Sequence, residues 1–598
     1  MTSGAVLARG ARVLARAVRE EPWMFAVAVG GSTAYAMLTI ATAQVVGAVV
    51  GRVVVPAFDT GRIDAAALAT GAAVIAAVAV AKVAGVFARR LGAGAMQFRM
   101  QARYRRAVTS RYLRLPLAWH HRHATGTLLS NANADVEAAW YPIAPLPFAV
   151  GTVVMLLAAA TSLLLTDWVI ALVGVGLLPA LTGVNVWYSR KIAPRVTRAQ
   201  QLRAEASAIA HESFDGALVV KTMGGEAAET DRFTATADQL RDAMIRVGRV
   251  RGLFDPVLDA LPSLATLVVL LVGAVRLGSG GVSVADVVGV GFLLTVLAFP
   301  VRAIGWVLAE LPRSVAGWDR VQRVLAATGE VTYGDVELAR SGPAALCFDG
   351  VDFGYATGPG VLHGVSFEVP AGRTVALVGP TGSGKSTVAA LAARLVDPAA
   401  GRVLIDGVPA GDLTLGSLTG AVALVAQVPF VFDDTVRGNV ALDRERVDDG
   451  TVHAALDLAQ LGRFVAELPD GLGTMVGERG TSLSGGQRQR LTLARAVAGA
   501  PGLLVLDDAT SAVDPRVEAA VLAGLRDGGA AASILVVAYR RATIELADEV
   551  VYLDGGRVVA RGTHPQLLAS VAGYADLVTA YERAERERER RDLEEAHQ

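Results

Sequence analysis

One cysteine, Cys347, stands in a chain of 598 residues, which excludes an intrachain disulfide. Its place in a strand-like segment predicts a small buried hydrophobe. Charge is scarce as well: Asp, Glu, Lys and Arg make up 19% of the residues, and 56 basic side chains cancel 56 acidic ones. A net charge of zero offers no electrostatic reason to expect a nucleic-acid partner or a basic tether to a membrane surface. Apolar residues are what the chain has in abundance. At 53% hydrophobic residues and a mean hydropathy of +0.44 it departs from the composition of soluble proteins. Its length suits roughly three or four domain-sized units.

The apolar residues concentrate in the first half, in runs at about 24–55, 65–88, 141–165, 167–188, 256–276 and 283–309. Each can cross the about 30 Å of membrane hydrocarbon, and PFAVGTVVMLLAAATSLLL at 147–165 contains no charge. Six membrane helices are expected. Arginines crowd the N-terminus (Arg9, Arg12, Arg16, Arg19) and the 91–138 connection, whereas the turn at Thr166 and Asp167 has no basic residue. By the positive-inside rule both termini lie in the cytosol. The first apolar stretch is too long for a signal-peptide core and is read as a retained helix. The connections at about 91–138 and 190–250 are polar and read as helices continuing into the cytosol. At about 1.5 Å per residue, a ~25-residue extension reaches about 40 Å beyond the bilayer. Their turns are expected near 115–126 and 211–222.

His120, His121 and His123 have no Cys or carboxylate among them, and a polar helical turn docking on another domain explains that composition without a metal ion. Asp255, Asp259, Arg302 and Glu310 are ionisable positions on or beside the last two apolar runs, where interfacial pairing or contact with water competes with substrate recognition. Pro256, Pro262 and Pro300 interrupt the same runs. Composition then changes over 316–343, closing on Gly342 and Pro343, which marks a linker. The expected organisation is multidomain. A six-helix α-helical transmembrane domain over 1–315 precedes an α/β P-loop nucleotide-binding domain over 344–575, and a charged tail fills 576–598. The mixed-sign tail reads as a solvated helix or a disordered end.

The strand-like TVALVG at 374–379 runs into a glycine-rich loop and then the helical run TVAALAARL. Gly379 to Ser386 spell G-x-x-x-x-G-K-S. Gly379, Gly382 and Gly384, with Pro380, Thr381 and Ser383 between them, allow successive backbone N–H groups to surround phosphates. Lys385 reaches the β/γ oxygens, the Ser386 hydroxyl can ligate Mg²⁺, and Thr387 opens the helix whose dipole adds to the site. ATP and Mg²⁺ are the expected ligands.

With this P-loop, Gln427 after the strand AVALVA, LSGGQ at 483–487 and LLVLDD at 503–508, the chain resembles an ATP-binding cassette (ABC) transporter over almost its whole length. Six helices ahead of one cassette resemble a half-transporter of the exporter-type fold, and VGERG at 476–480 is similar to the loop that exporter-type cassettes present to intracellular helices. The resemblance implies that Tyr355 stacks on adenine, that Gln427 contacts Mg²⁺ or the attacking water, and that Asp507 holds the Mg²⁺ shell. It implies that Ser511, Ala512, Val513 and Asp514 cross a dimer interface. Ser484, Gly485, Gly486 and Gln487 would close over ATP bound to a second subunit.

Two positions depart from the family pattern. Asp508 stands where the family places a catalytic Glu, and Tyr539, in AYRR at 538–541, stands where it places a His. Asp is one methylene shorter, so its carboxylate falls roughly 1–1.5 Å short of the attacking water. A phenol can carry neither the charge of His nor its two ring nitrogens. In a homodimer both sites would be weakened; in a heterodimer only one would. The expected function is a subunit of an ATP-driven heterodimeric exporter whose own P-loop forms a slow, degenerate site and whose LSGGQ completes the partner's hydrolytic site. The expected partner is a second half-transporter with intact Glu and His, in a cytoplasmic membrane. Two other readings stay open: an exporter-type fold running inward, and a membrane-bound nucleotide-sensing subunit. The substrate is a small molecule, lipid or peptide, and Trp140, Tyr141, Trp187 and Trp306 are compatible with any of these.

Overall fold

A computed structural model describes residues 3–583 apart from 340–341, 356–357, 510–511, 527–531 and 582, so most of the charged tail lies outside the described residues. The chain divides into two compact units, Met1–Leu113 with Ala124–Ala327 and Arg114–His123 with Thr328–Gln598.

The first unit is helical. After an amphipathic helix, Ser3–Glu20, come Pro22–Val49 continuing through a π-helical turn to Thr60, then Ala65–Arg114, Leu146–Thr166, Trp168–Asp215, Glu226–Gly278 and Val284–Leu325. The six apolar runs fall on the last six of these, except that 141–145 forms a short turn before the helix starting at Leu146. Among the described residues Pro22–Phe58, Ala65–Arg114 and Thr125–Thr166 are long and apolar enough to cross a membrane, and shorter apolar helices lie at Ser263–Gly278 and Val284–Val296. Four helices run 50, 48, 53 and 42 residues, about twice or more the ~20 a bilayer needs. Small residues let them approach closely: a Cβ on Gly31 would meet the Arg89 nitrogen and the Gly85 oxygen at 2.7 Å.

The polar ends of these helices have a core of their own. Trp140 is fully buried against Tyr104 and Trp318, with ring centroids 4.9 and 5.1 Å away, so it packs between helices. Arg320 grips the buried Asp135 carboxylate with two hydrogen bonds, at 2.7 and 2.5 Å. Because Val321 and Val324 are buried in this cluster, the last helix continues to Leu325, and the linker expected from 316 starts only after it. Arg103, one of the orienting arginines, pairs with Glu20 and Glu21 at 2.9 and 3.1 Å. Both Glu226–Gly278 and Val284–Leu325 run helically through Pro256, Pro262 and Pro300. The side chains of Asp255, Asp259, Arg302 and Trp306 lie outside the described residues, and Glu310 is half-buried. The short helix Ala217–Thr222 occupies the second expected turn.

In the second unit, Leu117–His121 occupies the first expected turn. Its histidines have an ordinary packing role: His123 stacks on the buried Trp119 ring at 4.0 Å, and His120 meets it edge-on at 5.3 Å. No group of three His, Cys, Asp or Glu placed to hold a metal occurs among the described residues. The cassette is built on two sheets. β1 (Leu346–Gly354), β2 (Gly360–Val369), β4 (Ala400–Ile405) and β5 (Val408–Pro409) form an antiparallel sheet in the order β2-β1-β4-β5. β3 (Thr374–Val378), β6 (Val422–Val425), β7 (Leu503–Asp507), β8 (Ser533–Val537), β9 (Glu549–Asp554) and β10 (Arg557–Gly562) form the other, ordered β10-β9-β3-β8-β7-β6 and parallel except at β10. β3, β7 and β8 read as short unbroken apolar runs because both faces of their sheet are buried, one against the antiparallel sheet and the helix Lys385–Ala392 and the other against later helices of the cassette. Cys347 sits in β1 half-buried rather than fully inside, with burial raising its thiol pKa.

The expected end of the cassette, 575, falls inside a helix. A helix over 572–581 carries Val578 into the core, with Leu577 and Tyr581 packed against it, so residues 576–581 belong to the cassette.

Candidate functional site

The strand order explains how distant residues meet. β8 lies between β3 and β7, with Val537 opposite both Leu377 and Asp507. The carboxyl ends of three parallel neighbours therefore deliver the loop after β3, Tyr539 after β8, and Asp507 with Asp508 at the end of β7.

The loop has the backbone its glycines permit. Gly382 and Gly384 have φ of +85° and +103°, and a Cβ on Gly384 would come within 2.6 Å of Leu362 Cδ2. Lys385, buried at the start of the helix Lys385–Ala392, donates from Nζ to the carbonyls of Gly379 and Pro380 at 2.7 and 2.8 Å. Burial lowers its pKa from the ordinary lysine value. Ser383 is buried, and its Oγ has no hydrogen-bond partner within the protein. An orphaned hydroxyl beside a buried ammonium in a glycine cradle fits a phosphate group.

Ser386 Oγ donates to Asp507 Oδ1 at 3.1 Å. Burial raises the Asp507 pKa, against the opposing effects of Ser386 and Lys385. A hydroxyl beside a desolvated carboxylate is a set of hard oxygen donors that suits Mg²⁺. When bound there, the ion would neutralise phosphate charge. Tyr355 stands just after β1, about half exposed, with its hydroxyl 3.3 Å from Thr387 Oγ1 and its ring edge-on to Phe353.

The two departing residues are both engaged. Asp508 has φ +50°, a left-handed conformation that aspartate tolerates. Its Oδ2 accepts a hydrogen bond from Gln427 Nε2 at 3.0 Å. Gln427, expected to contact Mg²⁺ or water, is here the partner of Asp508. Burial raises the Asp508 pKa, the Gln427 hydrogen bond opposes that, and the negative charge of Asp507 adds to it. Tyr539 lies with its ring face 4.8 Å from Lys385 Nζ, as a cation–π partner. Burial, with the charges of Asp508 and Asp507, pushes its phenol up to about 12.

The signature segment has a different set of partners. Ser484 caps the helix Gly485–Val497 in a reciprocal box: Gln487 N donates to Ser484 Oγ, and Ser484 N donates to Gln487 Oε1 at 2.7 Å. Gly486 lies close to the Ala512 carbonyl, where a Cβ would be 2.8 Å away. Ala512 N donates to Gln489 Oε1 at 2.9 Å, and Asp514 caps the helix Pro515–Gly524. Ser511 lies outside the described residues.

One site residue escaped the sequence reading. Tyr581, on the helix over 572–581, donates its hydroxyl to the Gly379 carbonyl at 3.0 Å and meets the Tyr539 ring edge-on at 5.8 Å. The seven-residue spacing between Tyr574 and Tyr581 is the sequence signal that places both on one helix face.

The fold and site define an ATP-binding membrane transporter, and comparison with known proteins agrees. Residues 29–301 match the family described as ABC transporter transmembrane region, and residues 362–511 match the family described as ABC transporter. An ATP-dependent lipid A-core flippase of Chromobacterium violaceum is 32% identical over 90% of this chain and 93% of its own length. A multidrug efflux ATP-binding/permease protein of Mycobacterium bovis is 32% identical over 87% of this chain but 44% of its own length. A bacterial Atm1-family ABC exporter solved with ATP bound is similar in structure, with a TM-score of 0.73 and 28% identity over 94% of this chain and 98% of that one. The chain belongs to the ABC transporter family, as a half-transporter of the exporter type. The inward-running alternative is not favoured by these relatives.

Proposed function

We propose that this chain is one subunit of a heterodimeric ABC exporter in a cytoplasmic membrane, with both termini and the cassette in the cytosol. Its own P-loop holds Mg²⁺ and ATP and turns ATP over slowly, while Ser484, Gly485, Gly486 and Gln487 complete the partner's hydrolytic site. The observation that carries this reading is the engagement of both departing residues. The Asp508 carboxylate is tied to Gln427, and the Tyr539 ring lies against Lys385. Hydrolysis needs a water in line with the γ-phosphorus and a group to take its proton, a contribution of about 10²–10⁴ in rate. A short carboxylate already hydrogen-bonded to Gln427 supplies that poorly. The multidrug relative, 44% of whose length is covered, has room in one chain for two units of this size, which is compatible with a paired assembly. The names of the flippase and multidrug relatives support an amphiphilic lipid or drug as substrate.

The test is phosphate release by the full-length chain alone in lipid nanodiscs. Slow turnover is expected, rising about 10²-fold in the double variant Asp508→Glu, Tyr539→His. Rapid turnover by the unaltered chain, abolished by Asp508→Asn, would overturn the reading.

A further inference from the structure

The helix over 572–581 reaches the phosphate loop through Tyr581. Tyr574, Leu577 and Val578 pack in the cassette core, and the Tyr574 hydroxyl meets His564 Nδ1 at 2.7 Å. Anchored on that base, Tyr581 places its hydroxyl on the carbonyl of Gly379, the same oxygen that accepts from Lys385 Nζ. Its ring backs the Tyr539 ring, which faces Lys385. Lys385, Gly379, Tyr581 and Tyr539 thus close a ring of contacts.

We propose that Tyr581 is a positioning residue of this chain's nucleotide site: it fixes the Gly379 carbonyl and the Tyr539 ring, and through them the ammonium that takes the phosphates of ATP, so that bound ATP leaves slowly. An ammonium has three N–H donors. Two are held by the carbonyls of Gly379 and Pro380, which directs the third. A donor already aimed loses less freedom when phosphate binds, and that gain is realised mainly in the dissociation rate. This inference rests on the ATP-retaining role proposed above and adds the residue that supports it. It also gives Tyr539 a purpose beyond the loss of histidine, since its ring is the surface that Tyr581 braces.

The experiment measures release of a fluorescent, slowly hydrolysed ATP analogue with Mg²⁺ from the full-length chain in nanodiscs, chased with unlabelled ATP. Tyr581→Phe, which keeps the ring and removes the hydroxyl, is expected to speed release about fivefold, the worth of one ordinary hydrogen bond. Tyr581→Ala is expected to speed it about tenfold or more, and adding Tyr539→Ala to change it little further, because the two rings act as a unit. Tyr574→Phe removes the helix's bond to His564 and leaves the Tyr581 hydroxyl in place; it is expected to lower thermal stability and to speed release less than Tyr581→Phe does. Release from both Tyr581 variants within about twofold of the unaltered chain would overturn the proposal. Hydrolysis is read separately. Fast turnover with Tyr581-sensitive release sinks the degenerate-site reading and leaves this inference standing, whereas slow turnover with Tyr581-insensitive release does the reverse.

Discussion

At the scale of residues, the site sets two adjacent carboxylates within reach of the charges of Lys385 and Arg540. Asp507 and Asp508 are adjacent, desolvated and both raised above the ordinary Asp value of 3.8. Their folded forms keep protons at pH values where the unfolded chain has released them. Unfolding free energy therefore falls as pH rises from the ordinary Asp value through the raised ones. Thermal unfolding of the nucleotide-free chain followed upward from about pH 4 should show it losing stability relative to Asp508→Asn, a comparison that cancels the titration of the other carboxylates. A chain that gained stability relative to the variant over the same range would contradict the burial argument. Divalent cation should flatten the decline, since Asp507 and Ser386 present oxygen donors together.

Among the elements, the long helices owe their lower ends to specific contacts. Arg320→Met would strand the Asp135 carboxylate, whose side chain is 6% exposed. The expected loss is about 2 kcal/mol, below the cost for a fully buried pair because Arg320 is 43% exposed. Thermal unfolding of the full chain measures it, and pairing the change with Asp135→Leu should recover most of the loss. The helix ends also mark where sequence reading stops. The phosphate loop was readable because left-handed backbone there demands glycine, and the apolar runs because they contrast with their flanks. The extension to Leu325 was not, since Trp318, Val321 and Val324 stand among charged residues and their burial depends on Trp140 and Tyr104, far away in the chain. Tyr581 was hidden for the same reason: its partners are Gly379 and Tyr539, and the charge run after it makes the whole segment look solvated. Asp508 and Tyr539 were visible as departures, but their engagement with Gln427 and Lys385 depends on strand order.

For the whole molecule, the two nucleotide elements of this chain should answer to different tests. In a reconstituted pair, Ser484→Ala should lower phosphate release about tenfold or more, as losing a donor to a reacting oxyanion does. Asp508→Asn should change it less than about twofold. Equal losses from both would indicate a symmetric assembly. The capping box at Ser484 has a last consequence for that assembly. Its oxygen accepts from the Gln487 amide, so the hydroxyl still has its proton to give, beside the N–H groups of the first helical turn. The helix end is thereby polarised to greet anions and to turn cations away before any second subunit arrives.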